Sequence, residues 1–110
     1  MKIASESIDE NDVPSGKVRI KIQGEFDSKS CLNFKEEVLQ LLSTDIKEIK
    51  VNLAEMDFID SPGIGILLST SFALKKISGN LILEEPQMHV VDLFEATQVI
   101  KYLNIENKTE

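Results

Sequence analysis

The stretch Asp60-Ser61-Pro62-Gly63-Ile64-Gly65 sets a carboxylate, a hydroxyl and two glycines between two apolar runs, within "MDFIDSPGIGILL". Three chemistries could use it: attack by a serine nucleophile, a turn that cradles phosphate, or covalent modification of Ser61. A serine nucleophile needs a base, usually histidine. The only histidine is His89, in a segment whose spacing predicts a helix, and Ile59 and Pro62 stand where a hydrolase elbow needs other residues. A dinucleotide loop lacks its third glycine here, and no Gly-Lys-Ser/Thr follows. There is no cysteine pair, no histidine pair and no carboxylate set at ligand spacing, so no metal or cofactor is expected. What remains is an ordinary capped helix or a serine that is acted upon. Gly63 and Gly65 leave Ser61 without bulky cover, and Asp57 and Asp60 add unusual charge density beside it.

The elements that must position this stretch follow from periodicity. "KVRIKIQ", Lys17 to Gln23, alternates with Val18, Ile20 and Ile22 on one side, the mark of a half-buried strand. Met1 to Ile8 reads as an earlier strand, with a turn at Pro14-Ser15-Gly16. Ser30 can cap a helix to about Ser43 whose apolar stripe is Phe34, Val38, Leu41 and Leu42. Ile46 to Leu53 is a second strong strand, after which Met56, Phe58 and Ile59 return to the core. Ser61 is the expected N-cap of the next helix, with Pro62 at its first position. That helix runs to Ile77, and Gly79 is its expected left-handed stop. Leu81 to Leu83 predict a short buried strand, Gln87 to Ala96 a third helix, and Val99 to Ile105 a last strand. Strands alternating with helices predict an α/β domain, 1–110, with helices packed on a small mixed or parallel sheet of four to five strands.

Composition narrows the function classes. The 110 residues suit a single domain, with 42% hydrophobic and 28% charged residues. A formal net charge of −7 and only 5% aromatic residues argue against nucleic-acid binding. No apolar run approaches the roughly 20 residues of a membrane span, and "MKIASESIDENDVPSG" lacks a signal-peptide layout, so a cytoplasmic protein is expected. The lone Cys31 fits a reducing compartment.

"VNLAEMDFIDSPGIGILL", following "IQGEFD", resembles the STAS domain, specifically the small stand-alone anti-sigma factor antagonists of bacteria. The matching residues are Gly24-Glu25-Phe26-Asp27, Asn52-Leu53, Phe58-Ile59 and Asp60 through Gly65. The resemblance implies partner switching without catalysis. An anti-sigma factor with serine kinase activity binds the unmodified protein and phosphorylates Ser61; the product is released, and a serine phosphatase restores it. Asp27, Asp60, Pro62, Gly63 and Ile64 are the expected partner-binding residues. A phosphate at Ser61 is expected to meet the positive helix end and free amides, while repelling Asp60 and, if the loops converge, Asp27. The other reading is a non-catalytic STAS scaffold subunit of a transporter or signalling assembly. Two features depart from the family: Pro62 stands where serine or alanine is usual, and Glu110 leaves no room for a full helix after the last strand.

Overall fold

The structure is a computed structural model and describes residues 2–4 and 16–106. The described elements are β1 (Lys2–Ala4), β2 (Lys17–Phe26), α1 (Cys31–Leu42), β3 (Glu48–Ile59), α2 (Ser61–Lys76), β4 (Asn80–Glu84), α3 (Met88–Ala96), a 3₁₀ turn (Val99–Tyr102) and β5 (Asn104–Glu106). They build one five-stranded sheet in the order β1-β2-β3-β4-β5, with β1 antiparallel to β2 and the other neighbours parallel. The expected mixed α/β architecture is therefore the one observed. Parallel neighbours need crossovers, and α1, α2 and α3 supply them.

β2 buries Val18, Ile20, Ile22 and Phe26 against the helices, and Ile49, Val51 and Leu53 of β3 continue the same layer. Phe26 meets Phe34 of α1 edge-on, centroids 5.4 Å apart, a contact worth about 1 kcal/mol beyond its area. The opposite sheet face carries charge. Glu84 is 1% exposed there and is gripped by Arg19 through Nε at 3.2 Å and Nη2 at 3.4 Å.

β3 is longer than the alternation of "IKEIKVNL" suggests. Two register shifts against β2 each insert an extra residue, so buried positions fall at Leu53, Met56 and Ile59. Phe58, expected in the core, is instead 48% exposed. The last expected strand is shorter than Val99 to Ile105, because Val99–Tyr102 wind into a 3₁₀ turn before β5. Of the expected first strand only Lys2–Ala4 lies within the described residues, and of the Pro14-Ser15-Gly16 turn only Gly16.

The stop of α2 also differs. Ser78, not Gly79, takes the left-handed conformation (φ 63°). Its amide donates to the Lys75 carbonyl and that of Gly79 to the Leu74 carbonyl, closing the helix with paired terminal bonds. Gly79 is required for proximity: a Cβ there would meet the Lys47 carbonyl oxygen at 2.3 Å.

Candidate functional site

The site gathers at the carboxyl ends of the parallel strands, where open α/β sheets usually bind. β2 delivers Asp27, β3 delivers Asp60 and Ser61, and β4 leads through Gln87 to Met88. The helix N-cap is Asp60, not Ser61. Its backbone is extended (φ −112°, ψ −177°) and its Oδ1 accepts from the Gly63 amide at 3.1 Å. Ser61 becomes the first helical residue with Pro62 following, and both are exposed.

The second oxygen of Asp60 explains this choice. Oδ2 accepts from the Ser28 amide at 3.1 Å, and the Asp60 amide reaches the Phe26 carbonyl at 3.4 Å. One carboxylate thus caps α2 and ties it to the loop after β2. The two acidic loops do converge. Gly63 makes the closeness possible, since a Cβ there would sit 2.5 Å from the Phe26 carbonyl oxygen and 2.9 Å from Ile59 Cγ1. Gly65, two residues on, has open space around it.

Asp27 mirrors this role for α1. Its Oδ1 accepts from the Ser30 amide at 3.0 Å and the Lys29 amide at 3.2 Å, while Ser30 Oγ accepts from the Asp27 amide at 2.9 Å. This reciprocal pair is a capping box, so the capping side chain is that of Asp27 rather than Ser30, whose side chain forms no cap hydrogen bond to α1. The Ser30 backbone and hydroxyl bonds hold the Asp27 carboxyl below its ordinary value. Cys31 is 2% exposed just behind it. Burial first, and the Asp60 charge second, push its thiol up.

The structure brings Asp27, Asp60, Ser61, Pro62 and Gly63 to one rim. Ile64 does not share that surface. It is 7% exposed and joins Leu67 and Leu74 in the core, because spacings of three and ten residues put these side chains on one face of α2. The apolar character at the rim comes instead from Phe58 and from Met88, which is 73% exposed. Their elements are stitched together: Gln87 Nε2 donates to the Ala54 carbonyl at 3.0 Å, and His89 Nε2 lies 2.6 Å from the Asp57 carbonyl oxygen. Nothing in the alternation of β3 marked Phe58 as outward-facing, since its bulges are invisible in sequence.

The amides at the mouth of α2 are less available than expected. Gly63 donates to Asp60 Oδ1, Ile64 donates to the Asp60 carbonyl, and Pro62 has no N–H. Among the described residues no three His, Cys, Asp or Glu side chains gather as metal ligands, and no helix is long and apolar enough to cross a membrane.

The family model of the STAS domain matches residues 9–110. The chain belongs to the STAS domain family. Two relatives are similar to it over most of its length. The anti-sigma-B factor antagonist of Bacillus subtilis is 28% identical over 93 residues, 84% of each chain. The anti-sigma-B factor antagonist of Staphylococcus epidermidis is 25% identical over 91 residues, 83% of this chain and 84% of that one. The STAS fold also superposes on the unphosphorylated anti-sigma factor antagonist SpoIIAA with a TM-score of 0.74 at 23% identity, covering 86% of this chain and 81% of that one. The phosphorylated Bacillus SpoIIAA superposes with a TM-score of 0.69 at 22% identity, covering 86% and 85%. At these identities the likeness is one of fold.

Proposed function

We propose that this STAS protein is an anti-sigma factor antagonist that works by partner switching in the cytoplasm, with no catalytic step of its own. The unmodified chain binds an anti-sigma factor with serine kinase activity and draws it from its sigma factor. Phosphorylation of Ser61 ends that complex, and a serine phosphatase resets the protein. The observation that supports this reading is the exposed Ser61, one residue beyond the carboxylate that joins the two acidic loops. The names of the relatives point the same way.

In this reading the partner covers Asp27, Asp60, Pro62 and Gly63. Phosphoserine adds about −1.5 to −2 charges beside two fixed carboxylates. A loss of a few kcal/mol in docking follows, and about 1.4 kcal/mol is already tenfold in affinity. Pro62 fixes the backbone direction just after the acceptor serine, so the cognate kinase has to accept a residue without an amide there.

The experiment is incubation with the candidate anti-sigma kinases and ATP, followed by mass spectrometry and binding titrations. The expected result is one phosphate on Ser61, tight binding by Ser61→Ala and weakened binding by Ser61→Asp. Absence of phosphate with every kinase, together with equal binding of the two variants, would sink the proposal. Co-purification with transporter subunits instead would favour the scaffold reading.

A further inference from the structure

At the amino ends of β4 and β5 lies a cavity of about 180 Å³, walled by Ser71 and Lys75 of α2, Asn80 and Asn104 at the strand starts, and Lys101 and Tyr102 of the 3₁₀ turn. Ser71 and Ser61 are ten residues apart on one helix, roughly 15 Å along its axis. The partner-switching rim does not reach this end of the sheet.

Its chemistry is unlike the rest of a chain whose net charge is −7. No carboxylate lines it. Lys75 and Lys101 form no ion pair among the described residues. Lys101 Nζ has only a long contact to Gln98 Oε1 at 3.4 Å and stands 5.8 Å from the Tyr102 ring centroid. Ser71 is 3% exposed. Its neighbours Ser69 and Thr70 both donate to the Ile66 carbonyl, whereas its own hydroxyl has no partner among the described residues. A buried hydroxyl left unpaired costs about 1–3 kcal/mol, and Ser71 borders the cavity. The carbonyls at the end of α2 would repel an anion. Those of Leu74, Lys75 and Ile77, however, already accept from Gly79, Ser78 and Lys47 Nζ.

We infer that this cavity binds a small ligand through its phosphate group. Two ammonium groups match the charge of a phosphate monoester. The Ser71 hydroxyl and the Asn80 and Asn104 amides, which meet each other only through a long 3.5 Å contact, offer donors to its oxygens. The volume lies below the roughly 300 Å³ at which drug-sized sites begin, so the ligand is inorganic phosphate or a short phosphate monoester rather than a nucleotide.

The test is an amide-resolved NMR titration of the full chain with inorganic phosphate and, separately, glycerol 3-phosphate. Sodium chloride holds the ionic strength constant, and acetate serves as the carboxylate control. Saturable shifts are expected at residues 71, 75, 80 and 101–104, with none at 60–63. The double variant Lys75→Gln/Lys101→Gln should weaken the apparent affinity about tenfold or more, and Ser71→Ala should weaken it without altering the fold. Tighter binding of the monoester identifies a metabolite, and equal binding identifies the free ion. Shifts that never saturate, an equal response to acetate, or full affinity in both folded variants would overturn the inference. The readout uses no kinase or anti-sigma factor, so its failure is separate from any failure of the switching model.

Discussion

Two glycines two residues apart, Gly63 and Gly65, should respond to the same substitution with opposite signs. Alanine is intrinsically better than glycine in a helix by about 1 kcal/mol. At Gly65 nothing lies within 4 Å of the added methyl group, so Gly65→Ala should raise stability by roughly 0.5–1 kcal/mol. At Gly63 the same methyl would sit 2.5 Å from the Phe26 carbonyl oxygen and 2.9 Å from both Ile59 Cγ1 and Phe26 Cδ2. A main-chain oxygen cannot swing aside as a side-chain tip can, so α2 must shift outward. Overpacking of this kind costs about 1–3 kcal/mol, which offsets the gain in propensity of about 1 kcal/mol and leaves a net loss of up to roughly 2 kcal/mol. The two variants should therefore differ by about 1–3 kcal/mol, on the order of 5–20 °C in melting temperature for a domain of this size. Urea and thermal denaturation of the two variants beside the parent chain would measure it. Shifts of the same sign would refute the claim that β2 and the start of α2 are in direct main-chain proximity.

Asp60→Ala removes both a helix cap and the tether to the Ser28 amide. A loss of about 2 kcal/mol is expected, with a smaller one for Asp60→Asn, and chemical shifts should move at residues 27–30 as well as at 61–64. Asp27 has a folded-state value below its ordinary 3.8, so it contributes stability above that pH which disappears as pH falls through the lowered value. The parent chain should accordingly lose more stability than Asp27→Asn between pH 6 and pH 3 in urea titrations. Cys31 is buried with a raised thiol value. Alkylation by iodoacetamide at pH 8 should be slower than for a free cysteine by about tenfold or more, and urea should restore the rate.

Sheet, helices and acidic loops could be read from residue patterns because each obeys a simple period. Val18, Ile20 and Ile22 announce a strand by alternation, and Phe34, Val38 and Leu41 announce a helix. What escaped was decided by tertiary context. Asp60 and Ser61 are both good capping residues, and only the Ser28 amide across the loop favours Asp60. The bulges of β3 replace a spacing of two by a spacing of three between Leu53, Met56 and Ile59, which turned Phe58 outward against expectation. Ile64, near the start of α2, reads as an apolar contact for a partner, yet a helix rotates successive side chains by about 100° per residue, and the core claims it. Gly79 suggests the stop of α2 by its conformational freedom, whereas the fold uses its missing side chain, since the Lys47 carbonyl stands where a Cβ would be.

Asp60 occupies the amides of Gly63 and, through its carbonyl, Ile64, while Pro62 offers none. A phosphoryl group on Ser61 consequently has no vacant donor in the opening turn to fold back onto, apart from its own residue's amide. It would stand outward in water, as a label legible to whatever approaches that rim. The domain beneath would register the change only as added charge beside Asp60 and Asp27.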